Sequence, residues 1–167
     1  MSESIKTTEE LPETPTIWID ADACPVAIKD LVFRVSRRLM VKVVLVANKS
    51  IVVPKFELIT SLLVSSGADV ADNTIVAKMS AGDIVITGDI PLADRVVGKN
   101  GIAIGPRGEL FDESSIKGRL ATRDLMEKFR AAGMETKGQK PLVQKDVQAF
   151  ANQLDRIVTR RLRKRKK

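Results

Sequence analysis

A short apolar segment that ends in two acidic residues constrains this chain more than any other feature. Residues 17–19 (Ile-Trp-Ile) lead into Asp20 and Asp22, and Pro25 follows at once. The apolar run is typical of a buried strand, whereas proline is well tolerated in the first turn of a helix, where its missing N–H has no partner. The segment therefore predicts a strand at 16–20 whose carboxylates lie between the end of the strand and the start of a helix.

Strand-like and helix-like segments alternate along most of the chain. Short apolar runs predict strands at 16–20, 41–47, 68–71, 83–87 and 101–104. Apolar residues at helical spacing predict helices at 25–40, 55–66, 74–81 and 91–99, with further helices at 114–133 and 144–162. This alternation predicts an α/β fold of right-handed βαβ units with a mostly parallel sheet, followed by C-terminal helices.

The length and the charge distribution predict one domain with two extensions. We expect the domain at 16–158, a disordered leader at 1–15 and a basic tail at 159–167. The net charge is +7, and seven of the 28 basic residues lie in the tail, so the other 21 balance the 21 acidic residues. The tail cations are Arg160, Arg161, Arg163, Lys164, Arg165, Lys166 and Lys167. Such a cluster attracts a polyanion through counterion release, unless it is only the solvated end of a helix.

Composition excludes several classes of protein. No apolar run reaches the length of about 18 residues that a membrane span needs, and the acidic N-terminus lacks the apolar core of a secretory signal. The single cysteine, Cys24, excludes an internal disulfide framework, and no histidine is present to complete a zinc site. We expect Cys24 to be a packed residue, and the protein to be cytoplasmic with no membrane partner.

Polar residues follow the predicted strands at Asp20, Asn48, Asp72, Asp89 and Arg107. The carboxyl ends of parallel strands share one edge of a sheet, and ligands bind there where the strand order reverses. Carboxylates crowded at this edge repel one another unless a cation lies among them, and their oxygens favour hard dications. The sequence therefore predicts a Mg²⁺ or Mn²⁺ site that is held by Asp20, Asp72 and Asp89, with Asp22 and Asp94 bound directly or through water.

This site suits the hydrolysis of phosphodiesters, because two dications can lower the pKa of water and neutralise charge in an in-line displacement. The predicted catalytic residues are Asp20, Asp22, Asp72 and Asp89. The candidates for binding the phosphate are Asn48, Lys49, Thr87, Arg107 and Arg123. A purely structural alternative is that Asp72 caps a helix and that Asp22 stabilises the helix N-terminus after Pro25.

Several blocks of sequence, in order, resemble the YaiI/YqxD family of bacterial proteins. The blocks are 18–25 (WIDADACP), 45–48 (LVAN), 70–73 (VADN), 82–93 (GDIVITGDIPLA), 106–108 (PRG) and 119–124 (RLATRD). The family is placed among PIN-like domains, whose best-known members are metal-dependent ribonucleases and flap nucleases. The resemblance implies a three-layer α/β/α PIN-like domain, with Asp20 as the early acidic motif and Thr87 and Asp89 in the late one. We therefore expect nucleic acid as the partner, with RNA favoured over DNA.

Two alternatives stay open. Asp20 and Asp22, with Asp89 and Asp94 later, are also similar to the motifs of haloacid-dehalogenase-like phosphatases, in which Asp20 would be the nucleophile and Asp22 the general acid/base. The other alternative is a non-catalytic PIN-like protein that binds nucleic acid through the tail. Aromatic residues make up only 4% of the chain, with no tyrosine, which argues against recognition of single strands by base stacking.

Overall fold

Six strands form one sheet, and five α-helices pack around it in the computed structural model, which describes residues 14–135 and 140–165. The strands are β1 (Thr16–Asp20), β2 (Lys42–Ala47), β3 (Ile59–Leu63), β4 (Ile84–Ile86), β5 (Ile102–Ile104) and β6 (Leu110–Phe111). The helices are α1 (Val26–Leu39), α2 (Val70–Lys78), α3 (Ile90–Gly98), α4 (Ile116–Ala131) and α5 (Gln144–Arg165). A 3₁₀ turn at Ala21–Ala23 joins β1 to α1.

The strand order is β3-β2-β1-β4-β5-β6, and all neighbouring strands are parallel except β6, which runs antiparallel to β5. The chain builds outward from β1 to β3 and then returns to place β4 on the other side of β1. The strand order therefore reverses between β1 and β4, and the crevice at their carboxyl ends is the position where an open α/β sheet binds its ligand. The predicted α/β fold with a mostly parallel sheet is confirmed.

Alternating residues of the central strand face two separate cores. Ile17 and Ile19 pack in the core that α1 and α5 cover, whereas Trp18 packs on the other face with α2 and α3. This alternation follows from the period of two in a β-strand. Helices on both faces of one sheet make the three-layer α/β/α architecture that the resemblance implies.

The apolar faces of α1 and α5 lie where their helical spacing places them. In α5, Phe150, Leu154 and Val158 are completely buried, and full burial of such side chains stabilises the fold by about 2 kcal/mol each. The helix continues to Arg165, across the boundary predicted at 159. Arg161 is only 8% exposed, so this member of the predicted basic tail is part of the folded body.

Two predictions of secondary structure are wrong. Residues 55–66 do not form a helix, because 59–63 pair in parallel with β2 as an edge strand. The apolar spacing there also fits a helix, but the main-chain groups along β2 need a partner, and tertiary pairing overrides local propensity. Residues 68–71 do not form a strand, since α2 already begins at Val70. Asp72 therefore lies in the first turn of α2 rather than after a strand.

The loop between β5 and β6 is fixed against α5. Gly108 has φ +90°, and a Cβ at this position would lie 2.8 Å from the carbonyl carbon of Ala149. The side-chain amide of Gln153 also donates to the carbonyl of Gly108 at 3.1 Å. The neighbouring Arg107 is therefore held beside the start of α5.

Parts of the predicted organisation lie outside the described residues. They are the leader up to residue 13, residues 136–139 of the linker predicted before α5, and Lys166 and Lys167 of the tail. Among the described residues, none of the helices combines the length and the apolarity that a membrane span requires.

Candidate functional site

Asp20 and Asp89 lie at the point where the strand order reverses, and a buried threonine joins them. The hydroxyl of Thr87 donates to Asp20 Oδ2 at 3.3 Å and accepts from the backbone N–H of Asp89 at 3.0 Å. A hydroxyl has one proton and two lone pairs, so it can form both bonds at once. Thr87 is only 3% exposed, so this link is protected from solvent.

Asp89 also caps α3. Its Oδ1 accepts from the backbone N–H of Leu92 at 3.0 Å, and Pro91 occupies the first turn of the helix. The cap fixes the orientation of this carboxylate, while Oδ2 makes no hydrogen bond to the described residues. The capping alternative, which the sequence suggested for Asp72, thus applies to Asp89 instead.

Asp72 is brought close to Asp20 and Asp89, although it comes from a different element. The pKa of Asp72 is raised to about 6, mainly by burial and also by the negative charges of Asp89, Asp20 and Asp69, while Arg95 opposes the shift. Burial likewise raises the pKa of Asp20, against the hydrogen bond from Thr87. Charges at Asp89 and Asp22 add to that rise. The three predicted metal-binding aspartates are therefore electrostatic neighbours whose ionised forms destabilise one another.

A hydrogen bond of Asp22 links the turn after β1 to the loop after β2. Its Oδ2 accepts from the backbone N–H of Asn48 at 2.8 Å. The side chains of Asn48 and Lys49 are exposed beside it. Asp22 thus acts on Asp20 through its charge, while one of its own oxygens is committed to the main chain.

A cleft of about 610 Å³ opens beside Asp20 and Asp89. Its wall carries the basic residues Arg107, Arg119 and Lys140. Arg107 forms an ion pair with Asp146 at 2.6 Å and also donates to the carbonyl of Lys140. Arg107 therefore lies at the predicted place, but its guanidinium joins the β5–β6 loop to the start of α5.

Arg119 is a cleft residue that the sequence prediction omitted in favour of Arg123. Its guanidinium lies 5.4 Å from the ring centroid of Phe111, a distance at which a cation is attracted to the ring. Arg123 instead forms ion pairs with Asp124 at 3.4 Å and with Glu127 at 3.1 Å, and it does not line the cleft. Arg119 and Arg123 both belong to the block 119–124 that resembles the family, so the sequence offered Arg119 as a candidate as well.

Asp94 is the predicted metal-binding residue that the structure leaves apart from the others. It is half-buried on α3 and is absent from the charges that raise the pKa values of Asp20 and Asp72. The spacing of five residues from Asp89 places it more than one helical turn away. The cluster therefore consists of Asp20, Asp72 and Asp89, with Asp22 beside them.

The chemistry of the cluster fits a hard dication better than its side-chain positions do. Carboxylate oxygens without a cationic partner are the donors that Mg²⁺ and Mn²⁺ prefer. In this conformation, however, no group of three or more acidic or cysteine side chains in the described residues converges closely enough to hold a metal ion. Cys24 does not contribute, because burial raises the pKa of its thiol to about 12. The aspartates thus supply suitable ligands that are not yet gathered around one point.

Replacing Asp72 by asparagine is expected to stabilise the metal-free protein near neutral pH. Folding raises the pKa of Asp72 from 3.8 to about 6, so the native state binds this proton more tightly than the unfolded chain. The ionised carboxylate therefore destabilises the fold increasingly between about pH 4 and 6, and fully above that range. After allowance for solvent screening, we expect a gain of about 1 kcal/mol in the free energy of unfolding at pH 7.5.

Urea denaturation in EDTA at pH 4 and pH 7.5 measures this effect. The gain in Asp72→Asn should be present at pH 7.5 and should disappear at pH 4. An equal gain at both pH values would show that the charge of Asp72 is not its cause.

Comparison with known proteins places the chain in one family. The family described as "Uncharacterized BCR, YaiI/YqxD family" matches residues 18–160. A UPF0178 protein of Shewanella amazonensis is 54% identical, and the alignment covers 86% of this chain and 97% of that protein. A UPF0178 protein of Hydrogenovibrio crunogenus is 50% identical, and the alignment covers 89% of this chain and 99% of that protein. No solved structure matches the chain significantly. The protein therefore belongs to the YaiI/YqxD family.

Proposed function

We propose that this protein is a Mg²⁺- or Mn²⁺-dependent nuclease that hydrolyses phosphodiesters, with RNA as its substrate. The observation that carries the proposal is the position of Asp20 and Asp89, which open into one cleft where the strand order reverses and are joined by Thr87. No lysine or arginine of the described residues forms an ion pair with either carboxylate. A cation from solution is the simplest way to balance these charges.

Asp20, Asp72 and Asp89 are the residues that would hold the dication. When bound, it would neutralise charge on the phosphate and lower the pKa of water. Thr87 orients Asp20 through its hydroxyl, and Asp22 holds the loop after β1 through its bond to Asn48. These bonds hold Asp20 and the loop after β1 in fixed positions, which limits the reorganisation needed for reaction.

The basic wall of the same cleft suits the phosphate groups of the substrate. Arg119 and Lys140 are exposed and line the same cleft as Asp20 and Asp89. Arg107 is engaged with Asp146, so we assign it a positioning role rather than direct contact with phosphate. A cleft whose lining holds both carboxylates and cations can bind a dication and a phosphodiester together.

The choice of RNA rests on the resemblance to PIN-like ribonucleases. It agrees with the low aromatic content, which favours contacts to the backbone over stacking on bases. A cytoplasmic location is part of the same proposal, and its support is the single cysteine.

Calorimetric titration with MnCl₂ tests the metal site without any assay of activity. The parent protein should give a saturable heat of binding in the millimolar range or below. Asp20→Asn should weaken that binding at least tenfold, because it removes a charge without changing the shape of the side chain. The matched control is Asp30→Asn, which removes an exposed carboxylate from α1. Equal binding by the parent and Asp20→Asn, or no binding by the parent, would contradict the proposal.

A further inference from the structure

We propose that a surface formed by α1 and the second half of α5 binds the phosphate backbone of double-stranded RNA, separately from the acidic cleft. We name it the arginine surface. It consists of Arg34 and Arg38 on α1 and of Arg156, Arg160 and Arg163 on α5. This inference deepens the proposed nuclease function, because it specifies the form of the substrate, but its binding step requires neither metal nor cleavage.

Two adjoining depressions make the arginine surface continuous. One, of about 670 Å³, lies between α1 and α5 and is lined by Arg34 and Arg38. The other, of about 460 Å³, lies along α5 and is lined by Arg156, Arg160 and Arg163. Both include Asn152 and Asp155, so they meet at these residues. The lining of the two contains five arginines and one acidic residue.

Most of this positive charge is not neutralised within the protein. Asp155 pairs with Arg38 at 2.7 Å, and these side chains are 51% and 58% exposed. Arg34, Arg160 and Arg163 are exposed and form no hydrogen bond or ion pair with residues 14–135 or 140–165. Every cation in the two linings is an arginine, whose planar guanidinium matches the oxygens of a phosphate better than a lysine ammonium does.

The apolar residues of α5 argue against a membrane as the polyanion. A helix that lies on a lipid surface inserts an apolar face into it. In α5 that face, which includes Phe150 and Leu154, is buried against the sheet. None of the large exposed apolar side chains of the described residues lines either depression. The surface thus offers charge without an apolar anchor.

The lining also favours a duplex over a single strand. Proteins that bind single strands stack successive bases on aromatic side chains, and neither depression is lined by one. Charge alone is enough to bind the paired backbones of a duplex, without any reading of sequence.

The arginine surface extends along α5 to the end that is farther from the acidic cleft. The helix starts at the cleft, where Asp146 pairs with Arg107, and Arg163 is seventeen residues further along. At 1.5 Å per residue this separation is about 25 Å. A duplex that contacts both Arg163 and the cleft must be at least this long. We therefore infer that the substrate is a duplex that is held along the arginine surface and cleaved at the acidic cleft.

Fluorescence anisotropy with a 16-base-pair RNA duplex in EDTA tests the arginine surface on the full chain. The variant Arg34→Gln/Arg160→Gln/Arg163→Gln should bind at least tenfold more weakly than the parent. Each phosphate contact contributes about 0.9 to the slope of log K against log salt, so the slope should become shallower by between two and three. The control is Lys55→Gln/Lys78→Gln/Lys128→Gln, which removes the same charge from exposed positions elsewhere. An equal loss in both variants, or no loss in the first, would overturn the inference.

Three further binding measurements distinguish an RNA duplex from the other possible ligands of the arginine surface. Duplexes of six base pairs should bind more weakly than duplexes of sixteen. Tighter binding of a single strand of equal length would contradict the duplex assignment. Sedimentation of the protein with vesicles of 30% phosphatidylserine in phosphatidylcholine, without binding to the duplex, would assign the surface to lipid instead.

The same measurements distinguish this inference from the nuclease proposal. If no variant cleaves RNA but the arginine variant still loses affinity, then the surface is established and the nuclease proposal fails. If cleavage requires Mn²⁺ and Asp20 while the arginine variant binds normally, then only the surface is refuted.

Discussion

Asp20→Asn is expected to reduce the rate of Mn²⁺-dependent RNA cleavage by about a thousandfold, a change of roughly 4 kcal/mol in the activation barrier. The reason is electrostatic. The substitution removes one of the negative charges that make the cleft attractive to a dication, while the amide oxygen can still accept from the hydroxyl of Thr87. The measurement is the single-turnover cleavage of a labelled RNA duplex at saturating protein, with circular dichroism to confirm the fold.

Asp89→Asn is an informative companion variant. Asparagine caps a helix as well as aspartate does, so the bond to the N–H of Leu92 and the start of α3 should survive. A similar loss of cleavage would then report the charge of Asp89 rather than damage to the helix. Asp30→Asn should cleave at the rate of the parent. If Asp20→Asn also cleaves at that rate, the assignment fails, and a phosphate recovered covalently on Asp20 would favour the phosphatase alternative.

The elements that were predicted well are those whose signal is local. β1 is a short apolar run between a proline-containing leader segment and two acidic residues, and its bounds match the prediction. α1 and α5 carry apolar residues at helical spacing over several turns, and these residues are the ones that pack on the sheet. In such segments, the pattern of burial and the local propensity favour the same structure.

The elements that were predicted wrongly depend on partners distant in sequence. β3 is an edge strand whose burial is slight, so its residues carry little alternation, and its pairing with β2 decides its conformation. β6 has only two residues and exists because the β5–β6 loop returns it to the edge of the sheet. No local window of sequence contains the information for either pairing.

In the candidate site too, some placements follow from local sequence signals and others depend on contacts between distant segments. Asp20 and Asp89 follow well-predicted strands, so the topology alone places them together. Asp72 reaches the cluster from the first turn of α2, although it was expected after a strand. The engagement of Arg107 with Asp146 and the position of Arg119 over Phe111 depend on how α5 and α4 dock. Such docking contacts cannot be deduced from the spacing of residues along the chain.

Replacing the buried Asp83 by alanine is expected to destabilise the fold by about 3–5 kcal/mol, which corresponds to a decrease of roughly 10 °C in Tm. Asp83 directly precedes β4, at the amino ends of the parallel strands and so on the side of the sheet away from the cleft. It is only 3% exposed. Its carboxylate accepts from the N–H of Thr16, the indole N–H of Trp18 and the N–H of Ser80, each at about 3.0 Å or less. Removing it leaves these three donors without their acceptor, and the penalty for unmade bonds is larger than the gain from making them.

Asp83→Asn provides the graded control for this prediction. Its single amide oxygen can replace the acceptor for Trp18 and Ser80, but its NH₂ group would then face the N–H of Thr16. Urea denaturation should therefore rank the free energies of unfolding as parent, then Asp83→Asn, then Asp83→Ala. Asp83 lies at the amino ends of the strands, whereas Asp20 lies at their carboxyl ends. Mn²⁺ binding by the fraction of Asp83→Ala that remains folded should therefore be unchanged. A loss below about 1 kcal/mol in Asp83→Ala would mean that water replaces the carboxylate at little cost, and that these hydrogen bonds do not secure β1 to β4.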